Sequence, residues 1–271
     1  MYPELFKIGP FTVYSFGLMM GISFIVANYF LARELRRKGV NPAFASSITL
    51  IALVAGISGS KILYLLENFG DFVQDPIGRA FSPAGLTWYG GFVLATAMIY
   101  IYGRSKQVSF WKIADSASPG LMWAYGIARI GCHLSGDGDY GIPTTLPWGV
   151  SYARGTYPPS EAFRNLPEIA GAYPNGIVPD NTPLHPTPIY EFILATGIFL
   201  LLWKLRKRDH PAGRLFMIYL IAAGLERFFI EFIRINPRIL LGLSEAQIIA
   251  IVLIAVGLYG LSRFKAREAT A

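Results

Sequence analysis

The amino-acid sequence predicts an all-α polytopic membrane protein of about seven transmembrane helices with a small periplasmic head. Three observations carry that prediction. Hydrophobic residues make up 53% of the chain and aromatic ones 14%, giving a mean hydropathy of +0.43. The apolar residues fall in runs close to the roughly 20 residues that a bilayer core demands. The basic residues collect in short clusters between those runs, so the net charge of +7 reads as an orientation signal, and no nucleic-acid partner is expected. The single cysteine, Cys132, excludes an internal disulfide, and helix packing must hold the chain.

The runs are 11–32, 44–66, 86–103, 113–134, 188–203, 215–233 and 246–261, within one membrane domain covering 1–271. Residues 1–10 lack the basic region and small-residue cleavage site of a removable signal, so the first run is expected to stay and span. One long connection, 135–187, is rich in Pro, Gly, Asn and Asp yet carries Trp148, Val150 and Tyr152. That mixture predicts a small ordered cap rather than a tether. No internal repeat is visible, which disfavours the inverted-repeat transporters.

Orientation follows from the basic clusters. Arg33, Arg36, Arg37 and Lys38 follow the first run; Arg104, Lys106 and Lys112 follow the third; Lys204, Arg206, Lys207, Arg208 and Arg214 follow the fifth; Arg263, Lys265 and Arg267 close the chain. Few basic residues lie on the other side, which places the N-terminus outside and the C-terminus inside. A membrane location with the site toward the outer leaflet is expected.

Three cations remain within the runs: Lys61, Arg129 and Arg227. At about 1.5 Å of rise per residue, each lies roughly 7–9 Å below the outer end of its run. Tyr89 and Glu191 add a hydroxyl and a carboxylate to the same stratum. Glu231 is four residues after Arg227, on one helix face and free to pair with it. An arginine inside a membrane-length segment is costly and therefore a candidate functional residue. Snorkelling to the headgroups, or neutralisation by Glu191, Glu226 or Glu231, is the plainer explanation, and it is the favoured one for Lys61. For Arg129 and Arg227, the planar fork suits bidentate contact with a phosphate at headgroup depth.

Arg129 opens onto Gly131-Cys132-His133-Leu134-Ser135-Gly136-Asp137-Gly138-Asp139-Tyr140-Gly141. These glycines let backbone leave a helix and approach a ligand closely. Asp137 and Asp139 could accept a proton, or form a plain turn. A calcium loop lacks its further ligands at the proper spacing, so neither metal nor cofactor is expected. His133 is a candidate proton carrier, and Cys132 has no evident partner base.

These residues resemble the prolipoprotein diacylglyceryl transferases along nearly the whole chain. The resemblance rests on Ile8-Gly9-Pro10, Gly17-Leu18-Met19, Gly90-Gly91, the stretch from Ala128 to Gly141 followed by Pro143 and Leu146-Pro147, and His185-Pro186-Thr187-Pro188-Ile189-Tyr190-Glu191. It ends on Arg227 with Glu231-Phe232-Ile233-Arg234, then Ser244 and Gln247. It implies a seven-span body with a periplasmic head in a bacterial inner membrane, the site toward the periplasmic leaflet, and transfer of diacylglyceryl from phosphatidylglycerol to the lipobox cysteine of a prolipoprotein, releasing glycerol phosphate. The implied partners are phosphatidylglycerol, the prolipoprotein signal-peptide segment and membrane lipids. Arg129 takes the family's lipid-binding arginine and Arg227 its second essential one. Arg227, Tyr89 and Asp137 are the catalytic candidates; Arg129, Gly131, Ser135, Gly141, Glu191 and Glu231 are the substrate-binding ones. Tyr89 stands where the family carries histidine, Phe16 for a tyrosine, Cys132 for asparagine and Asp137 for glutamate. A carrier or exporter of an anionic lipid or solute, using the same arginines, is the competing function. A lipid-dependent scaffold is the third.

Overall fold

The computed structural model describes residues 1–82 and 85–269, with side chains as far as Phe264. Lys265 and Arg267 of the closing basic cluster therefore have side chains outside those described. The chain is mostly helical and divides into two compact units, residues 1–27 with 118–271, and residues 28–117.

It opens on a hairpin, β1 (Glu4–Ile8) against β2 (Phe11–Tyr14). The first helix, α1, runs over Ser15–Arg37, so residues 11–14, expected to begin the first span, are strand instead. The reason is local: Gly9 adopts φ +58 ahead of Pro10, which turns the chain back on itself. Helix α2 (Ala43–Glu67) is followed by two short helices, α3 (Phe69–Gln74) and α4 (Pro76–Phe81), which no hydropathy run marked. Then come α5 (Trp88–Ser105) and α6 (Phe110–Ser135).

In the unit of residues 28–117, α2 and α5 pack through glycines. A Cβ on Gly59 would strike the Gly90 carbonyl, and one on Gly91 would lie 2.6 Å from the Gly56 oxygen. Such absent side chains let two helix backbones touch where the surrounding solvent offers no hydrophobic drive. Leu31, Leu35, Phe44, Ala45, Ile48 and Ile113 form this unit's buried cluster.

The other unit holds the segment between α6 and the next long helix. Strand β3 (Val150–Ser151) pairs with β4 (Pro183–Leu184), and between them lie the single-turn helices α7 (Pro159–Ala162) and α8 (Pro167–Ala170). Tyr140, Tyr152, Phe163, Ala170, Val178 and Leu184 pack into a core of their own, so this connection, called the head below, is ordered. The chain continues through α9 (Thr187–Leu205) and α10 (Arg214–Ile230). The last three residues expected in the sixth span, Glu231–Ile233, wind instead into a tighter 3-10 turn. A small hairpin, β5 (Arg238–Leu240) with β6 (Leu243–Ser244), leads to α11 (Glu245–Ala269).

Four stretches among the described residues, 15–37, 43–67, 187–205 and 245–264, are long and apolar enough to cross a bilayer by length and composition. Helices α6 and α10 carry Arg129 and Arg227, and these two arginines meet at a cluster of carboxylates.

Candidate active site

Glu191 is the hub. It stands on the second turn of α9, whose start is set by Pro186 and Pro188, two prolines suited to a helix N-terminus. The side chain is fully buried. A buried carboxylate must be paired, and four groups converge on this one. The Tyr125 hydroxyl donates to Oε1 at 2.7 Å; Arg227 Nη1 donates to the same oxygen at 3.0 Å; Arg129 Nε lies 3.6 Å from it; and Arg234 Nη1 donates to Oε2 at 3.1 Å.

Each arginine has a second carboxylate. Arg129 pairs with Asp139 and lies over the Tyr125 ring, 4.9 Å from its centre. Arg227 Nη2 is 3.0 Å from Glu231 Oε2, one helical turn on. Arg234 pairs with Asp139 and donates to its backbone carbonyl at 3.1 Å. Asn236 donates to the other oxygen of Glu231 at 2.7 Å. Three guanidinium groups thus face three carboxylates, Asp139, Glu191 and Glu231, and the formal charges of these six groups balance. Burial opposes charge on Asp139, but Arg234 and Arg129 beside it outweigh that and hold its carboxyl down at about 2.

Accessibility divides the arginines. The side chains of Arg129 and Arg227 are 20% and 24% exposed, against 5% for Arg234. Arg129 and Arg227 therefore keep accessible guanidinium surface, whereas Arg234 is enclosed against Glu191 and Asp139.

The glycine-rich stretch is shaped by close approach. Gly136 and Gly138 adopt φ +60 and +92, conformations that L side chains rarely take. A Cβ on Gly141 would run into the Ile233 carbonyl and lie 2.8 Å from Thr187 Cγ2. That contact brings Gly141 into a bridge with Arg234. Gly131 packs on α1, where a Cβ would stand 3.0 Å from Met19 Cβ. Ser135 is buried, and its carbonyl accepts from Thr156 through both the amide at 2.8 Å and the hydroxyl at 3.0 Å, so it ties the end of α6 to the head.

Asp137 is partly buried, and its carboxylate accepts from the Asp139 amide at 3.4 Å. Burial first, and the Asp139 charge second, raise its carboxyl above the ordinary value. Cys132 Sγ and one oxygen each of Asp137 and Asp139 lie within 4.8 Å of one another. That donor set suits a cation by distance, but Asp139 is already engaged by two guanidinium groups. His133 Nδ1 sits 2.9 Å from the Tyr152 hydroxyl, within the head.

Arg129, Arg227, Glu191 and Glu231 are thus gathered in one network, with Asp137 and Gly141 flanking it. Tyr89 and Lys61 belong to the unit of residues 28–117. Tyr89 lies in the first turn of α5, edge-on to Trp88. Lys61 donates to the Ser82 carbonyl at 2.9 Å. Three members escaped the sequence reading as site residues: Arg234 and Asn236, which lie just past the end of the sixth run, and Tyr125, an aromatic residue among many.

A model of the family described as prolipoprotein diacylglyceryl transferase matches residues 3–263. Among curated proteins, the phosphatidylglycerol–prolipoprotein diacylglyceryl transferase of Clostridium tetani is 30% identical over 98% of this chain and 99% of its own length. A second such enzyme of Clostridium perfringens is 31% identical over 95% and 94%. That of Trichormus variabilis is 29% identical over 98% and 90%. A match of this extent, together with the arginine and carboxylate network, means that the chain belongs to the prolipoprotein diacylglyceryl transferase family.

Proposed function

We propose that the protein transfers the diacylglyceryl group of phosphatidylglycerol to the thiol of a prolipoprotein's lipobox cysteine and releases glycerol phosphate. The observation that carries this reading is the meeting of Arg129 and Arg227 on one buried carboxylate, Glu191. Two partly exposed forks at one point match the oxygens of one phosphate.

The lipid phosphate takes the place of carboxylate oxygens at Arg129 and Arg227. The cysteine sulfur, as thiolate, attacks the glyceryl carbon attached to the phosphate oxygen. A carbon–sulfur bond forms and the carbon–oxygen bond breaks, leaving its electron pair on the phosphate. The guanidinium groups stabilise the charge that builds up there. Asp137, whose carboxyl is biased toward holding a proton, takes the thiol proton. Tyr89, a tyrosine at the position where the family carries histidine, is the proposed candidate for assisting proton transfer or positioning the headgroup. Gly131, Ser135 and Gly141 allow close backbone approach, and Glu231 orients Arg227.

In this reading α1, α2, α5, α6, α9, α10 and α11 span a bacterial inner membrane, with the N-terminus and head outside and the C-terminus inside. The four span-grade helices and the segregation of basic residues support it.

The test is mass spectrometry of a lipobox peptide incubated with purified protein and phosphatidylglycerol. A thioether-linked diacylglyceryl adduct is expected with the wild type and none with Arg129→Ala. An unmodified peptide alongside lipid movement across liposomes would replace this reading with the carrier.

A further inference from the structure

A cleft of about 640 Å³ opens on the head, lined by Pro143, Thr144, Thr145, Tyr173, Asn181 and Thr182. Its size is ordinary for a ligand site. Its lining is not: hydroxyls, an amide and proline rings, with no charged side chain among the lining residues. A phosphate or lipid headgroup would find no counter-charge there. An uncharged polar chain rich in backbone amides would find donors and acceptors on several sides.

Position identifies which chain. The residues from Asp139 to Thr144 join the arginine network to the cleft. Along them Gly141 N donates to His185 O, Ile142 N to Ile233 O and Thr144 N to Pro183 O, all at 2.9 Å. Five residues span at most about 18 Å of extended chain. A peptide whose cysteine sulfur is at Arg129 therefore reaches the cleft with the few residues that follow it. Those residues leave the bilayer on the side of the head, whereas the preceding apolar segment stays in lipid.

We propose that this cleft docks the polar segment immediately following the acceptor cysteine. The proposal rests on the transferase reading and adds the part of the protein substrate that the head recognises. The occupant is an extended, uncharged peptide, held by its backbone and small side chains.

The experiment compares two lipobox peptides, one ending directly after the cysteine and one continued by five Ser, Asn and Gly residues. With the wild type, the longer peptide should show a KM about tenfold lower at similar kcat, as a docking contact remote from the reacting atoms requires. Thr182→Trp and Asn181→Trp, each filling the cleft from its rim, should raise the KM of the longer peptide to that of the shorter one. Kinetics with the shorter peptide should stay as in the wild type, which also reports that each variant is folded. Equal KM values for the two peptides with the wild type would overturn the docking. So would a KM difference that survives in both Trp variants. Absence of transfer to either peptide would instead remove the transferase reading itself.

Discussion

Arg129 and Arg227, far apart in sequence, meet on a single oxygen: Glu191 Oε1 lies 3.6 Å from Nε of the first and 3.0 Å from Nη1 of the second. In the proposed reaction Glu191 occupies the place that the lipid phosphate would take between the two arginines.

Replacing Glu191 has a definite sign. Glu191→Gln keeps the shape and removes one negative charge, leaving the cluster with an excess positive charge. Phosphatidylglycerol and the phosphate product should both bind more tightly, so KM for lipid and kcat should fall together, each by about tenfold. Steady-state kinetics with mixed micelles would show it, and a raised KM would refute Glu191 as the competing anion.

Tyr125→Phe separates two roles of one ring. The aromatic face beneath Arg129 remains, while the 2.7 Å hydrogen bond to Glu191 is lost. A hydrogen bond to a charged group contributes about 1.5–3 kcal/mol, and thermal unfolding in detergent should report a loss of that size. Tyr125→Ala should in addition weaken lipid binding.

Asp137 carries a pH signature. Its carboxyl is raised in the fold, so its contribution favours folding fully below the ordinary value of 3.8 and fades as pH rises through the raised one. Above that range the charged, partly buried group is a burden. Asp137→Asn should therefore match or exceed the wild-type melting temperature at pH 7, with the difference vanishing toward pH 4. Transfer should drop about 10²–10⁴-fold, the usual yield of a proton acceptor.

Gly141→Ala tests the bridge to Arg234. The new methyl would meet the Ile233 carbonyl, and overpacking of this kind costs about 1–3 kcal/mol. Activity should fall further than stability, because Arg234 must shift with its backbone. Gly197→Ala is the control: nothing lies within 4 Å of a Cβ there, and a helical Gly→Ala change should stabilise by about 0.5–1 kcal/mol.

Much of this was legible in the sequence, for physical reasons. Arg129 and Arg227 stood out because a guanidinium in an apolar run demands explanation, and helical spacing alone gave the Arg227–Glu231 pair. Arg234 was hidden because counting rise along a straight helix puts it outside the span. The tighter turn at Glu231–Ile233 and the bridge to Gly141 fold it back to Glu191. Tyr125 was hidden because its meaning depends on a carboxylate 66 positions later, a separation no periodicity reports. The second strand of the hairpin, residues 11–14, was lost inside the first apolar run, although Gly9-Pro10 just before it marked the reversal.

A nest of opposite formal charges has a kinetic consequence for the proposed reaction. Because Asp139, Glu191 and Glu231 stay within reach of the forks they yield to an arriving phosphate, they are also poised to reclaim them. In the proposed reaction these carboxylates would compete with the departing phosphomonoester for the guanidinium groups, which favours its release.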